Sequence, residues 1–314
     1  DDKSEFQIVL DMPVGTPLEE TAQVMREISA EVAQAPEVVD YQAYAGTAAP
    51  INFNGLVRQY YLRASPEMGD IQVNLTDKHA RERKSHEIAG SLRDKVAAIG
   101  ARHGGNAKVV EVPPGPPVMS PIVAEIYGPD YAGQMAVARR VRDRFESTAD
   151  IIGVDDSVDE DAEKIVLKVN QAKAALLGVA QADIVQVVRM GLSGEDVTPV
   201  HDGEAKYEIP VRITLPAEQQ ASVDQLLKLR VRALAQYGGG LVPISELVEV
   251  RRTGREKMIY HKDLLPVVFV TGDMGGKLDS PLYGMFDIRS KLADLKLPQG
   301  GTLGEYFIKQ PKDP

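Results

Sequence analysis

Phe6-Gln7-Ile8-Val9-Leu10-Asp11-Met12-Pro13-Val14-Gly15-Thr16-Pro17-Leu18-Glu19 decides the fold. Residues 6–12 alternate apolar with polar or charged side chains, the period of a strand, and Pro13-Val14-Gly15 turns the chain. Thr16 followed three residues later by Glu19 reads as a capping box, with Pro17 at the first helical position. The helix so started carries Leu18, Met25, Ile28 and Val32 on one stripe and stops before Pro36. Val38 to Ala45 then reads as a returning strand, so the first unit is strand, helix, strand.

The same grammar recurs. Ile122 to Tyr127 is a strand, Gly128-Pro129-Asp130 a turn and cap, Tyr131 to Phe145 a helix with Ala138, Val141 and Phe145 inward, and Ile151 to Val154 a strand. A third copy runs from Val267 through Ser280-Pro281 and a helix over 282–295 to a strand at 302–307. A fourth, less regular one joins a strand within 57–75, the helix Ser85 to Ile99, and the strand Ala107 to Val112. Four such units predict an α+β fold of two ferredoxin-like βαβ layers. Residues 1–112 form the first layer, and 120–170 with 256–314 form the second, which is split by an insertion over 171–255. The insertion has its own pattern of short helices (Gln171 to Leu177, stopped by Gly178, and Ala180 to Met190) and strands near 207–213, 229–234 and 247–251. It reads as a small α+β subdomain. The Pro-rich loop 113–119 bridges the layers, its four prolines around one glycine favouring an extended, stiff conformation.

Composition removes several kinds of chemistry. With no Cys and no Trp in 314 residues, disulfides, thiolates and cysteine metal sites are excluded. A formal charge of −10 makes a nucleic-acid partner unfavourable. Apolar runs such as Pro266 to Val270 fall far short of the roughly 20 residues a spanning helix needs. The abrupt ends, Asp1-Asp2-Lys3 and Gln310-Pro311-Lys312, read as cuts in a longer protein.

Candidate motifs fail on chemistry. Gly272-Asp273-Met274-Gly275-Gly276-Lys277-Leu278 sits between a strand and a helix like a phosphate loop, but its glycine spacing is one residue short, Leu278 cannot ligate Mg²⁺, and Asp273 and Asp279 repel phosphate. The acidic run Asp155, Asp156, Asp159, Glu160, Asp161, Glu163 lacks the order of a calcium loop and reads as a solvated turn. The five histidines show no zinc spacing, and Gly191-Leu192-Ser193-Gly194 is not a nucleophile elbow. Arg139, Arg140, Arg142 and Arg144 spread around their helix as a solvated face. No enzyme activity and no cofactor are expected.

Several stretches resemble the permeases of the resistance-nodulation-division (RND) efflux family, in that family's order along the chain. The opening strand, the Pro13-Val14-Gly15-Thr16 turn and the helix that follows are similar to the region after the family's seventh membrane helix. Ser120-Pro121-Ile122-Val123-Ala124-Glu125-Ile126-Tyr127-Gly128 resembles the start of its second porter subdomain. Val166 to Val179 with Ala182-Asp183-Ile184 resembles the entry into its docking subdomain, and Gly240 to Val250 the exit. The two bracket the insertion inferred from pattern alone.

The resemblance implies the second periplasmic region of a proton-driven inner-membrane antiporter with twelve membrane helices, lying on the periplasmic side. It implies partnership with the other half of the same permease, with trimer mates, with a periplasmic adaptor and with an outer-membrane channel, and membrane attachment only through flanking helices. The family's proton-relay carboxylates lie in those helices. Layers 1–112 and 120–170/256–314 would be porter subdomains opening and closing a substrate cleft, and 171–255 the docking element. Phe53, Arg58, Tyr60, Val118 and Met119 are the expected cleft lining, giving apolar contact and one orienting cation. The first three lie at or near an expected strand, Leu56 to Leu62, that faces the loop. Multidrug members place phenylalanines in that loop where this chain has prolines. Heavy-metal members line the cleft with methionines, whereas Leu56 to Leu62 has none and Met119 stands alone in the loop, so a small organic amphiphile is preferred over a metal cation. The alternative is a free-standing ferredoxin-like module that binds a small ligand. The isolated chain is expected to be monomeric in dilute solution.

Overall fold

A computed structural model describes residues 2–112, 118–220, 222–275, 280–297, 300–306 and 311. They form two compact units. One holds the described residues up to Ala162 and from Glu256 onward, the other Glu163 to Arg255.

In the first unit the chain builds β1 (Glu5–Asp11), α1 (Leu18–Val32), β2 (Val38–Ala45), the short α2 (Phe53–Val57), β3 (Met68–Leu75), α3 (Ser85–Arg102) and β4 (Asn106–Val110). The sheet order is β2-β3-β1-β4 with antiparallel neighbours, so parallel β1 and β2 are separated by β3, the split βαβ arrangement of a ferredoxin-like layer. Both helices cover one face. Val24, Met25, Ile28 and Val32 of α1 and Ile88, Leu92, Val96 and Ile99 of α3 bury against Phe6, Ile8, Leu10, Ile71 and Val73. These spacings of three and four put one helical stripe on the sheet.

Two details differ from expectation. The Thr16–Glu19 capping box does not form: α1 is preceded by Pro17 at the cap, and the Thr16 hydroxyl donates to Pro13 O at 2.6 Å, tightening the turn instead. Leu18, expected inward, is exposed at the first position of the helix, its side chain lying by Gly46, while Thr21 and Val24 take the buried face.

The second layer starts with β5 (Ile122–Ile126), α4 (Tyr131–Glu146) and β6 (Ile151–Asp156). The second unit follows: β7 (Glu163–Val169), α5 (Gln171–Leu176), α6 (Gln181–Ser193), β8 (Glu195–Val200), β9 (Ile209–Ile213), α7 (Ala217–Gln220), α8 (Val223–Leu227), β10 (Arg230–Arg232), β11 (Leu241–Pro243) and β12 (Val248–Gly254). The chain then returns to the first unit with β13 (Tyr260–Lys262), β14 (Leu265–Met274) and α9 (Pro281–Leu292).

Strand β14 organises the second sheet. It pairs with β13 through residues 265–267, with β5 through 268–272 and with β6 through 270–274. Ala138, Val141 and Phe145 of α4 are buried on it as the sequence predicts, together with Ile288 of α9. The strand expected at 302–307 is reduced, among the described residues, to one bridge between Lys296 and Thr302. Phe307, like Pro113–Pro117 of the bridging loop and Gly276–Asp279 of the glycine-rich stretch, lies outside the described residues.

The second unit has a separate small core of Ala174, Val179, Ile184, Val231, Ala233, Ile244 and Leu247. Gly178, with φ of 65°, ends α5, and a Cβ there would fall 2.2 Å from the Tyr237 ring, so both conformation and space require glycine. The hairpin β8–β9 had only its second strand legible in the sequence. Nearly all of its residues are exposed, so neither strand carries an inside-outside pattern.

Candidate functional site

Residues 46–67, between β2 and β3, hold three of the five expected cleft residues. The strand expected over Leu56 to Leu62 is absent. The chain instead makes α2 and a 3₁₀ turn at Tyr60–Leu62, with Gln59 between them in the left-handed region at φ of 59°. Locally, Asn52 caps a helical turn that begins at Phe53, and β3, flanked by β1 and β2, offers no pairing to the segment that leads into it.

The segment is held as a ledge. Asn52 caps α2 by accepting from Gly55 N at 2.6 Å, and its amide donates to Gln72 Oε1 at 2.9 Å. Ala49 N donates to Asp70 Oδ2 at 3.1 Å. At the far end the Arg63 guanidinium donates to Asp11 Oδ1 at 2.7 Å, to Leu10 O at 2.8 Å and to Asp70 Oδ1 at 3.2 Å, and lies 5.8 Å from the centre of the Tyr60 ring. Burial disfavours the charge on Arg63, but Asp11 and Asp70 outweigh it and hold the pKa above its ordinary value. Burial pushes the Asp70 carboxyl up, against the opposing pull of Arg63. With its back fixed to the sheet, the ledge leaves Ile51, Phe53, Leu56, Tyr61 and Leu62 exposed.

The five expected residues fall into three situations. Phe53 begins α2 and is exposed. Arg58, expected as an orienting cation, caps the C-terminus of α2 with its side chain only 8% exposed, and its Nη2 reaches Asp273 Oδ1 on β14 at 3.4 Å. Tyr60 follows, its hydroxyl pKa pushed up to about 12, chiefly by burial; Arg58 opposes the rise and Asp273 adds to it. Val118 is exposed and Met119 half-buried, next to Ser120. Ser120 Oγ donates to Gly272 O at 2.8 Å and lies 3.5 Å from Asp273 Oδ1.

Arg58, Tyr60 and Asp273 therefore form one electrostatic group, with Phe53 on the helix that Arg58 ends and Met119 adjacent in sequence to Ser120. The sequence missed Asp273 and Ser120 as members. Asp273 carried only the signal of a faulty phosphate loop, and its partner Arg58 lies far away in the chain.

Lys108 on β4 makes a second ion pair between the layers, to Asp155 on β6. The acidic run is matched by cations: Asp156 with Arg142 at 2.8 Å, Asp161 with Lys257 at 2.8 Å and Glu163 with Arg252 at 2.6 Å, while Asp159 accepts from Met258 N at 2.7 Å. Among the described residues no group of three or more His, Asp or Glu is arranged to hold a metal, and Met12 and Met25 are buried in the first core. Two surface concavities lie elsewhere, one between α6 and Arg212, the other beside Pro17 and His103. Neither includes the five residues.

Comparison with known proteins agrees with this architecture. The family model described as AcrB/AcrD/AcrF matches residues 1–304. The nickel and cobalt resistance protein CnrA of Cupriavidus metallidurans is 23% identical over 188 residues, 58% of this chain and 17% of that protein. Two crystal forms of a heavy metal efflux pump align with TM-scores of 0.67 and 0.66 at 18% identity, covering 92% of this chain and 30% of theirs. The chain thus spans less than a third of the length of these relatives. No described helix is long and apolar enough to cross a membrane. A family match over nearly the whole chain, on an antiparallel α+β fold shared with efflux-pump structures, establishes that the chain belongs to the AcrB/AcrD/AcrF family of RND efflux permeases.

Proposed function

We propose that this chain is the periplasmic porter and docking portion of a proton-driven RND efflux pump of the inner membrane. Residues 1–112 and 120–170 with 256–314 act as two porter subdomains joined by loop 113–119, and 171–255 as a docking element toward an adaptor and an outer-membrane channel. The pump works as a trimer, and the proton pathway lies in membrane helices outside this chain. The observation that carries this reading is the family match across residues 1–304. Three separate hydrophobic cores, drawn from residues 6–109, 122–303 and 169–248, support three bodies, and the compact unit around the docking element begins at Glu163 rather than at 171 because β7 pairs with β12.

The substrate is a small amphiphile received in a cleft between the porter layers, with Phe53, Arg58, Tyr60, Val118 and Met119 as its lining. The fixed ledge with an outward apolar row and one buried cation supports this assignment. Export of a metal cation is the second reading, favoured by the names of the relatives at 23% and 18% identity. The test places Phe53→Ala with Met119→Ala in the full permease, expressed with its partners in an efflux-deficient host. Resistance to a panel of amphiphilic dyes and detergents is expected to fall at least fourfold at unchanged permease level. Unchanged resistance overturns the cleft assignment, and resistance to nickel, cobalt, copper or silver alone moves the substrate to the second reading.

A further inference from the structure

Three cations of the first layer face the second across one seam. Lys108 meets Asp155, which pairs with Thr271 of β14. Arg58 meets Asp273 on the same strand. Arg93 of α3 reaches the strand's end, its Nη1 lying 2.9 Å from where a Cβ on Gly275 would stand. Lys108 closes on Asp155, but the two arginines do not close on their carboxylates. Charge-assisted N–H···O bonds normally close to about 2.7–2.9 Å, whereas Arg58 Nη2 stands 3.4 Å from Asp273 Oδ1 and Arg93 Nη2 3.3 Å from Glu111 Oε2. The Nε atoms of both arginines are buried with no hydrogen-bond partner among the described residues. A buried guanidinium with an idle donor is costly, and such an atom in a native fold calls for an acceptor that completes it. On the short helix that Arg58 ends, Phe53 and Leu56 lie exposed.

We propose that the seam is an anion-receiving site: a substrate with a carboxylate or sulfate headgroup displaces Asp273 from Arg58, takes its guanidinium in a forked hydrogen bond, and lays its apolar tail along α2. The inference rests on the cleft reading above and names the substrate class as anionic amphiphiles. Competition with Asp273 is built in, because the headgroup and the Asp273 carboxylate claim the same donors. Ligand entry thereby loosens one of the ion pairs that join the layers.

Calorimetric titration of the 314-residue chain with three twelve-carbon probes below their micelle concentrations tests it: dodecanoate, dodecylammonium and dodecyl maltoside. Dodecanoate is expected to bind at least about tenfold more tightly than the other two. R58Q should remove that advantage, R58K, which keeps the charge but loses the fork, should weaken dodecanoate about three- to tenfold, and D273N should tighten it about three- to tenfold by removing the competitor. Should R58Q fail to fold by circular dichroism, the opposite shifts expected of R58K and D273N carry the decision. Dodecanoate affinity unchanged in R58Q, weaker or equal in D273N, or matched by dodecylammonium overturns the anion site while leaving an apolar cleft standing. Binding of none of the three overturns the cleft reading as well.

Discussion

The two arginines on either side of the 3₁₀ turn Tyr60–Leu62, Arg58 and Arg63, have opposite fates. Arg63 closes three hydrogen bonds of 2.7, 2.8 and 3.2 Å and an aromatic contact, and every group it touches belongs to its own layer. Arg58 is as deeply buried, yet among the described residues it makes one long contact of 3.4 Å to the other layer and its Nε has no partner. A completed buried cation fixes geometry, and an incomplete one is available for exchange. On the proposed anion site, the count of satisfied donors rather than burial separates the two charges.

Breaking the Arg63 clamp is expected to have the largest effect on stability. Arg63→Met strands the carboxylate of Asp70, which is 1% exposed, and should cost about 3–5 kcal/mol in urea unfolding. A cost below about 1 kcal/mol would mean that the ledge is held by Asn52 and Ala49 alone. Arg58→Gln should cost less than about 1 kcal/mol in the same assay, since a long pair to a partly exposed Asp273 returns little net energy. An equal loss from the two substitutions would erase the contrast and make Arg58 a structural residue.

The smallest effect belongs to the rim of the first layer and sharpens the comparison from outside. Asp2, bound by Ser85 N and Arg81, has its pKa lowered to about 2, and Glu37, gripped by Arg83, is lowered as well. Stability from such groups is present above their ordinary pKa values of 3.8 and 4.5 and is lost as pH falls through the depressed folded values. Asp70, raised by burial, runs the other way, so its share is lost as pH rises. Thermal midpoints should therefore decline from about pH 4.5 to pH 2, and less steeply in Asp2→Asn/Glu37→Gln. Parallel declines would show that the rim pairs contribute nothing.

Much of the fold was legible because its cues are local. Alternation marked β1, helical stripes marked α1 and α4, and Gly178 marked the end of α5. The elements that misled were those decided at a distance. Residues 56–62 have strand-like composition, but the Asn52 cap and the ties of Arg63 to Asp11, Leu10 and Asp70 hold the segment as a helical turn and a 3₁₀ turn. Exposure of both faces of β8 removed the alternation that would have announced it. At the site, sequence named Arg58 and Tyr60 as a cation and an aromatic, but not their meeting with Asp273, which depends on two layers coming together. Hydrogen-bond deficits such as those of Arg58 and Arg93 have no signature in a linear sequence.

The partners of β14 also bear on how the protein is made. The first sheet is complete once residue 110 has been synthesised, because β1 to β4 close on one another. Strands β5 and β6 must wait for β14, with the whole of Glu163–Arg255 still to come. During synthesis the first layer can therefore fold beside an emerging second layer whose apolar strand Ile122–Ile126 lacks its neighbour. That interval, when an unpaired edge is open to wrong partners, is the point in the life of the chain at which a chaperone has most to do.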